Sequence, residues 1–290
     1  MEPSAAGSAV RPSGRPAVFR DVVVIGGGCY GTFYAGQLAR ARDRGAAAWD
    51  RLIVVDRNPQ CRAARELPPD PTRALIASDW DGFFDRYLAQ AAVRDADPGR
   101  ADAIVPSPLM PHLMFDWLLR SARRRWPARA VHARPAELAA GMPYDVLHPT
   151  GTRYLSFADW LCPVHCVEPA TCPVTHAPRT WEMADAVTAL AGRLARRGTV
   201  RGPALFVCRH RVYGVGMFDV AEVLAGDALV TGAGAPGTAV DVVVGTVSSC
   251  HGAVSVLHLG DAAPPASVPS RGGTSGSGFT AHRSPLYLAS

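Results

Sequence analysis

The chain contains no lysine: all 30 residues in its lysine-plus-arginine count are arginine. That absence excludes Schiff-base catalysis, a phosphate-loop lysine and the lysine on which protein kinases depend. Long apolar runs are missing as well. Nothing approaches the ~20 uninterrupted apolar residues of a membrane-spanning helix, so membrane insertion is not expected. The first twenty residues lack the apolar stretch of a secretory signal and carry Pro, Gly, Ser and Arg instead, so residues 1–20 read as a disordered tail. No nucleophile-elbow serine, paired-carboxylate signature or HExxH motif is present, which leaves hydrolase chemistry without support.

Charge is modest. The formal net charge of +5 comes from arginine scattered through an Ala-, Gly- and Pro-rich chain. Its one dense run, Arg123-Arg124-Arg125, closes a predicted helix, where positive charge suits the helix dipole. Nucleic acid is therefore not an expected partner. The seven cysteines are odd in number, and the chain is neither small nor secreted in appearance, so a disulfide framework is a poor explanation. Reduced thiols in the cytoplasm are the expectation.

What the sequence does have is a β-α-β pattern at its start. Residues 21–26, DVVVIG, form a short β-branched run that ends in glycine, as a buried parallel strand does. Residues 30–42 carry apolar groups at helical spacing with arginines in the last turn, and LIVVD at 52–56 is a second buried strand. The alternation continues with predicted helices at 80–92, 111–125 and 180–197, the last capped by Thr180. Strands are predicted at 103–105, 130–132, 154–158, 204–210, 241–247 and 253–259. Such repetition predicts an α/β fold built on a doubly wound parallel sheet. The expected organisation is a Rossmann-like domain over 21–145, a Cys/His-rich α/β second half over 146–260, and a disordered Pro/Gly/Ser tail over 261–290.

The first turn carries the clearest motif. Gly26, Gly28 and Gly31 give G-x-G-x-x-G, placed after a predicted strand and opening a predicted helix. Gly26 suits a tight turn, Gly28 lets backbone approach a pyrophosphate, and Gly31 lets helix pack on strand. The helix start then offers free N–H groups and a positive dipole end to phosphates. Through these glycines and Asp56, which closes the second strand, the sequence resembles the Rossmann-type NAD(P)- and FAD-binding superfamily over about its first quarter. The resemblance implies a dinucleotide held by Gly26, Gly27, Gly28, Cys29, Tyr30 and Gly31. It also implies that Asp56 takes the adenosine ribose hydroxyls, while Arg57 beside it can face a 2′-phosphate, which keeps NADP open alongside NAD. Ser107, in the PSP turn after the strand at 103–105, is placed to touch the far half of the cofactor or a small-molecule substrate.

The second half concentrates sulfur and imidazole. WLCPVHCVEPATCPVTH, residues 160–176, holds Cys162, Cys166 and Cys172 with His165 and His176. The C-x3-C interval fits zinc, and Cys-Pro steps occur in iron–sulfur proteins, so these five residues are candidate ligands for zinc or an iron–sulfur cluster. A redox thiol pair and a proline-shaped loop with buried sulfur are the competing explanations. Cys208, His210, Cys250 and His251 stand near other predicted strand ends and could share the site. The reading that follows is an NAD(P)-binding oxidoreductase-like protein, with His210, His251, Cys208 or Tyr213 as proton donor. An FAD flavoprotein and a non-enzymatic dinucleotide sensor are the alternatives.

Overall fold

The computed structural model describes residues 16–94, 100–137, 139–163 and 166–262. In chain order the elements are β1 (Ala17–Ile25), α1 (Cys29–Asp43), β2 (Ala47–Asp56), α2 (Arg62–Glu66), β3 (Arg73–Ala77), α3 (Trp80–Ala92), β4 (Ala101–Val105) and α4 (Leu113–Arg125). There follow β5 (Val131–Arg134), β6 (Tyr144–Leu147), β7 (Arg153–Ser156), α5 (Met183–Ala195), β8 (Val200–Val207), β9 (Arg209–Val212), β10 (Val215–Asp219), α6 (Val220–Gly234), β11 (Val240–Val247) and β12 (His251–Leu259). The tails expected at 1–20 and 261–290 lie outside the described residues except for 16–20 and 261–262, and residues 17–20 belong to strand β1.

The protein is a mixed α/β structure with two sheets, each holding parallel and antiparallel strands. The first has the order β3-β2-β1-β4-β10-β9, and the second has β6-β7-β12-β11-β8 with β5 also paired to β12. The expectation is a doubly wound parallel sheet. Parallel pairing instead stops at β4: β10 runs antiparallel to it, and β9 antiparallel to β10. For β9 and β10 the reason is connectivity, because the tight Tyr213-Gly214 turn joins them as a hairpin, which only antiparallel strands can accept. Strands from both sides of residue 145 contribute to each sheet: β5 joins the second, and β9 and β10 return to the first.

Burial alternates along the central strands and defines the layers. Val23 and Ile25 of β1 face one apolar core, while Val22 and Val24 face another. In β11, Val242 and Val244 join the same central core as Val23, whereas Val243 and Val247 face outward under α5. Helices α3, α4 and α6 therefore fill the space between the two sheets, α1 covers the outer face of the first, and α5 that of the second. Burying a Phe, Leu or Val side chain is worth roughly 1.5–3 kcal/mol, and the central layer holds Phe84, Leu88, Leu118, Phe206 and Phe218 with almost no exposure.

Local chemistry sets the helix limits. Asp79 caps α3 by accepting from the Gly82 N–H at 2.7 Å. Helix α4 starts at Leu113, two residues past Pro111, and α5 starts after Glu182 rather than at Thr180, with no side-chain cap. Helix α6 is apolar around much of its circumference, as suits a helix with a sheet on each side.

Candidate functional site

The turn from β1 into α1 is built by its glycines. Gly26 sits at φ +83°, a left-handed conformation that a side chain strains, and its N–H donates to the Val55 carbonyl at 2.8 Å. A Cβ on Gly31 would lie 1.7 Å from the Gly26 carbonyl oxygen, and one on Gly27 would lie 2.3 Å from the Cys61 sulfur. At Gly28 a Cβ would meet nothing, and the residue is exposed. Gly28 is also the N-cap of α1; no side chain caps the helix and no acid occupies its first turn. The result is an open backbone shelf with free N–H groups at a helix start, the geometry that suits an anion.

Asp56, at the end of β2, is tied to this shelf. Its Oδ2 accepts the Gly27 N–H at 2.7 Å, and its Oδ1 accepts the Asn58 N–H at 2.8 Å. Each oxygen keeps a lone pair for a further donor. A small cavity of about 50 Å³ opens beside it, bounded by Asp56, Asn58, Pro59, Cys61 and the end of β3. The Arg57 guanidinium stacks on the Trp80 ring at 5.0 Å. Cys29 is exposed and receives a hydrogen bond from Arg62 at 3.2 Å, and Tyr30 is exposed and stacks on Tyr34.

A larger cavity of about 680 Å³ lies where the carboxyl end of β4 meets the second sheet. Tyr34 of α1, Ser107, Thr246, Cys208, His210, Cys250 and His251 line it, together with Cys162, Cys166 and Cys172. The cysteine segment thus covers the void from one side and the strand ends from the other. Of the sequence candidates, His176 and Tyr213 are not at its wall, and His165 lies outside the described residues. His176 is exposed at φ +57°, closing the turn in which its N–H donates to the Cys172 carbonyl. Tyr213 forms the β9–β10 turn at φ +45°. Ser107 is buried, and its hydroxyl accepts the Leu109 N–H, so it shapes the PSP turn as well as lining the cavity.

The segment folds by backbone bonds rather than regular structure. The Cys166 N–H donates to the Pro163 carbonyl, and residues 170–179 form a small hairpin through Thr171–Pro178 pairing and the Arg179 N–H to Ala170 bond. Glu168, which the sequence does not single out, locks this segment to the second sheet. Its carboxylate accepts from the Ser248 hydroxyl at 2.6 Å, the Ser249 N–H at 2.7 Å and the Cys250 N–H at 3.3 Å. It stands at φ +51°, a position L-residues rarely hold without such anchors. The signal available in sequence was a single acid between Cys166 and Cys172.

Burial dominates the electrostatics. It pushes the Cys208 thiol up to about 12, with the Glu168 carboxylate adding to the effect. It raises Cys162, helped by the nearby sulfurs of Cys166 and Cys172, and it raises Cys250 against the pull of the Trp181 N–H. His210 is pushed below its ordinary value by desolvation and is neutral near pH 7. Cys172 moves the other way, because the Thr175 backbone N–H and hydroxyl donate to its sulfur. All seven cysteines are unpaired. Among the described residues no three His, Cys, Asp or Glu side chains converge to hold a metal ion, and no helix is long and apolar enough to cross a membrane.

A family model described as "Uncharacterized protein, C-terminal domain" matches residues 114–260, just over half of the chain. The chain belongs to that family. The matched region runs from α4 to the end of β12, so it contains the cysteine segment, Glu168 and the strand ends around the larger cavity, and excludes the glycine turn. No curated protein matches the chain, and no solved structure does.

Proposed function

We propose that this protein is an NAD(P)-binding oxidoreductase whose dinucleotide lies along the carboxyl edge of the first sheet. The observation that carries the reading is the glycine shelf: Gly31 and Gly27 are forced by packing, whereas Gly28 is exposed with nothing where its Cβ would be. Packing does not require glycine at that position, which is also the helix N-cap, and a ligand that must touch backbone is the reading it supports here. The parallel order β3-β2-β1-β4, with the shelf between β1 and α1, supports a Rossmann-type first half.

On this reading the adenosine lies against the surface at the mouth of the small cavity beside Asp56, with the ribose hydroxyls donating to the free lone pairs of its carboxylate. The pyrophosphate rests on the N–H groups at the start of α1. The nicotinamide then passes Tyr34 and Ser107 into the larger cavity, where a small substrate meets it. Hydride moves between the nicotinamide ring and that substrate, and a proton must move with it. His210, neutral and at the cavity wall, is positioned to hold that proton. A carboxylate at Asp56 repels a 2′-phosphate, and Arg57 is engaged with Trp80, so NAD is favoured over NADP.

Calorimetric titration with NADH, NADPH and FAD tests the reading. NADH is expected to bind in the micromolar range and more tightly than NADPH, and Gly28→Asp, which sets a negative charge against the pyrophosphate, is expected to abolish binding. If neither nicotinamide dinucleotide binds, or if Gly28→Asp binds as the parent does, the assignment is wrong. FAD bound on purification would identify a flavoprotein instead.

A further inference from the structure

We infer that the cysteine-lined side of the larger cavity holds an iron–sulfur cluster whose ligands are Cys162, Cys166, Cys172 and Cys250. The inference rests on the second half of the molecule alone and does not depend on a bound dinucleotide. Its basis is what each sulfur faces. The Cys166 sulfur accepts the Glu168 N–H at 3.4 Å, and the Cys250 sulfur accepts the Trp181 indole N–H at 3.3 Å. The N–H groups of Val174 and Thr175 and the Thr175 hydroxyl are directed at Cys172. The Trp160 indole N–H is buried without a hydrogen-bond partner and lies near Cys162.

A neutral thiol is a weak acceptor, whereas a thiolate is a strong one. Donors beside four sulfurs around one void therefore suit four thiolates. Four such charges in a half-buried space repel one another unless a cationic centre lies among them. Cys208 lines the same cavity but is different: its sulfur is packed against the Gly216 backbone, and no donor among the described residues reaches it. It is therefore left out of the ligand set. His176, on the outer end of its turn, is replaced in that set by Cys250.

The choice of a cluster over zinc follows from the room the cysteines surround. A tetrahedral zinc ion at ~2.3 Å from each sulfur requires sulfurs about 3.8 Å apart. Among the described residues no group of three such side chains is set to hold a single ion, whereas the four cysteines all line one cavity of about 680 Å³. A polynuclear centre spreads its cysteines over its corners and fits such an arrangement. Glu168 serves it indirectly, since its bonds to Ser248, Ser249 and the Cys250 N–H hold Cys250 against the cysteine segment.

The full chain, purified without oxygen, is expected to be brown, with iron and acid-labile sulfide in about equal amounts and about two or more of each per chain. Serine at any of the four positions is expected to lose most of that iron, while Cys208→Ser keeps it. Trp181→Phe, which removes one N–H···S donor, is expected to load fully but at a more negative reduction potential; melting curves establish that each variant is folded. Stoichiometric zinc with no sulfide, or colourless metal-free protein even after anaerobic reconstitution with ferrous iron and sulfide, overturns the inference. Iron retained equally by a folded variant lacking all four cysteines overturns it as well.

Discussion

The backbone N–H of Gly27 donates to the Asp56 carboxylate at 2.7 Å, joining the turn after β1 to the end of β2. Gly27 is buried, so this N–H has little access to water. Asp56→Ala strands it, at a cost of about 1–3 kcal/mol. Asp56→Asn keeps one acceptor, enough for the Gly27 N–H, and turns its NH2 toward the exposed Asn58 N–H, so it is expected to cost less than the alanine. The two variants separate structure from recognition: both should weaken NADH binding, but only the alanine should lower the urea midpoint substantially. Equal midpoints for the two would mean that the hydrogen bond is structurally idle.

The glycines divide in the same way. Gly31→Ala places a Cβ 1.7 Å from the Gly26 carbonyl oxygen, a backbone atom that can yield only by parting α1 from β1. We expect a loss of about 3 kcal/mol or more, at or above the upper end of the usual cost of overpacking. Gly28→Ala meets no atom and should change stability by no more than about 1 kcal/mol, since it costs only a cap preference. It should nonetheless weaken NADH binding at least tenfold. Denaturation and titration of the two proteins side by side decide the matter; Gly28→Ala with full affinity would remove the reason for reading the shelf as a ligand site.

The contrast between these residues shows what was legible in the sequence. The strand, turn and helix of the first sixty residues were readable because β-branched runs, glycines and helical spacing all agree there. Helix α6 was missed because its apolar residues face both sheets, so no amphipathic stripe marks it. Strands β3 and β6 were missed for the opposite reason: they are short, edge-placed and mostly exposed. The grouping of Cys162, Cys166 and Cys172 was evident from spacing, but their approach to Cys250 depends on the pairing of β11 with β12 and on Glu168. Neither leaves a local signature. His176 holds a positive φ in an exposed turn, a placement that spacing alone cannot reveal.

Acid should destabilise the protein through Asp21. This residue is 1% exposed and pairs with Arg51 at 2.6 Å and Arg94 at 3.0 Å. Burial pushes its pKa up, but the two guanidiniums outweigh that and hold it below the ordinary carboxylate value. Its folded pKa is thus below its unfolded one of ~3.9, so its contribution is complete above about pH 4. That contribution is lost as pH falls further, through the folded pKa. Asp21→Asn is expected to cost about 2 kcal/mol at pH 7, below the ~3–5 of a fully buried pair because Arg51 is half-exposed. It should also flatten the fall in urea midpoint below pH 4. An unchanged slope there would assign acid sensitivity to other carboxylates.

Glu168 offers the sharpest test of how the cysteine segment is held. Its three bonds are the side-chain anchors from that segment to the β11–β12 turn, and removing them in Glu168→Ala leaves the Ser249 and Cys250 N–H groups without their acceptor. We expect amide exchange at Ser249 and Cys250 to rise at least tenfold, while amides in the middle of β11 are unchanged, because the opening is local. The same variant removes a negative charge that helps raise Cys208 to about 12. Burial remains the larger cause, so Cys208 should stay a thiol at pH 8 and be alkylated slowly in the parent. In Glu168→Ala it should react faster, both because the charge is gone and because the loop opens. Glu168→Gln separates the two contributions: it keeps a carbonyl acceptor, so exchange at Ser249 should rise only slightly, while the charge effect on Cys208 persists. Rapid alkylation of Cys208 in the folded parent at pH 8 would show that the cavity is not closed around it.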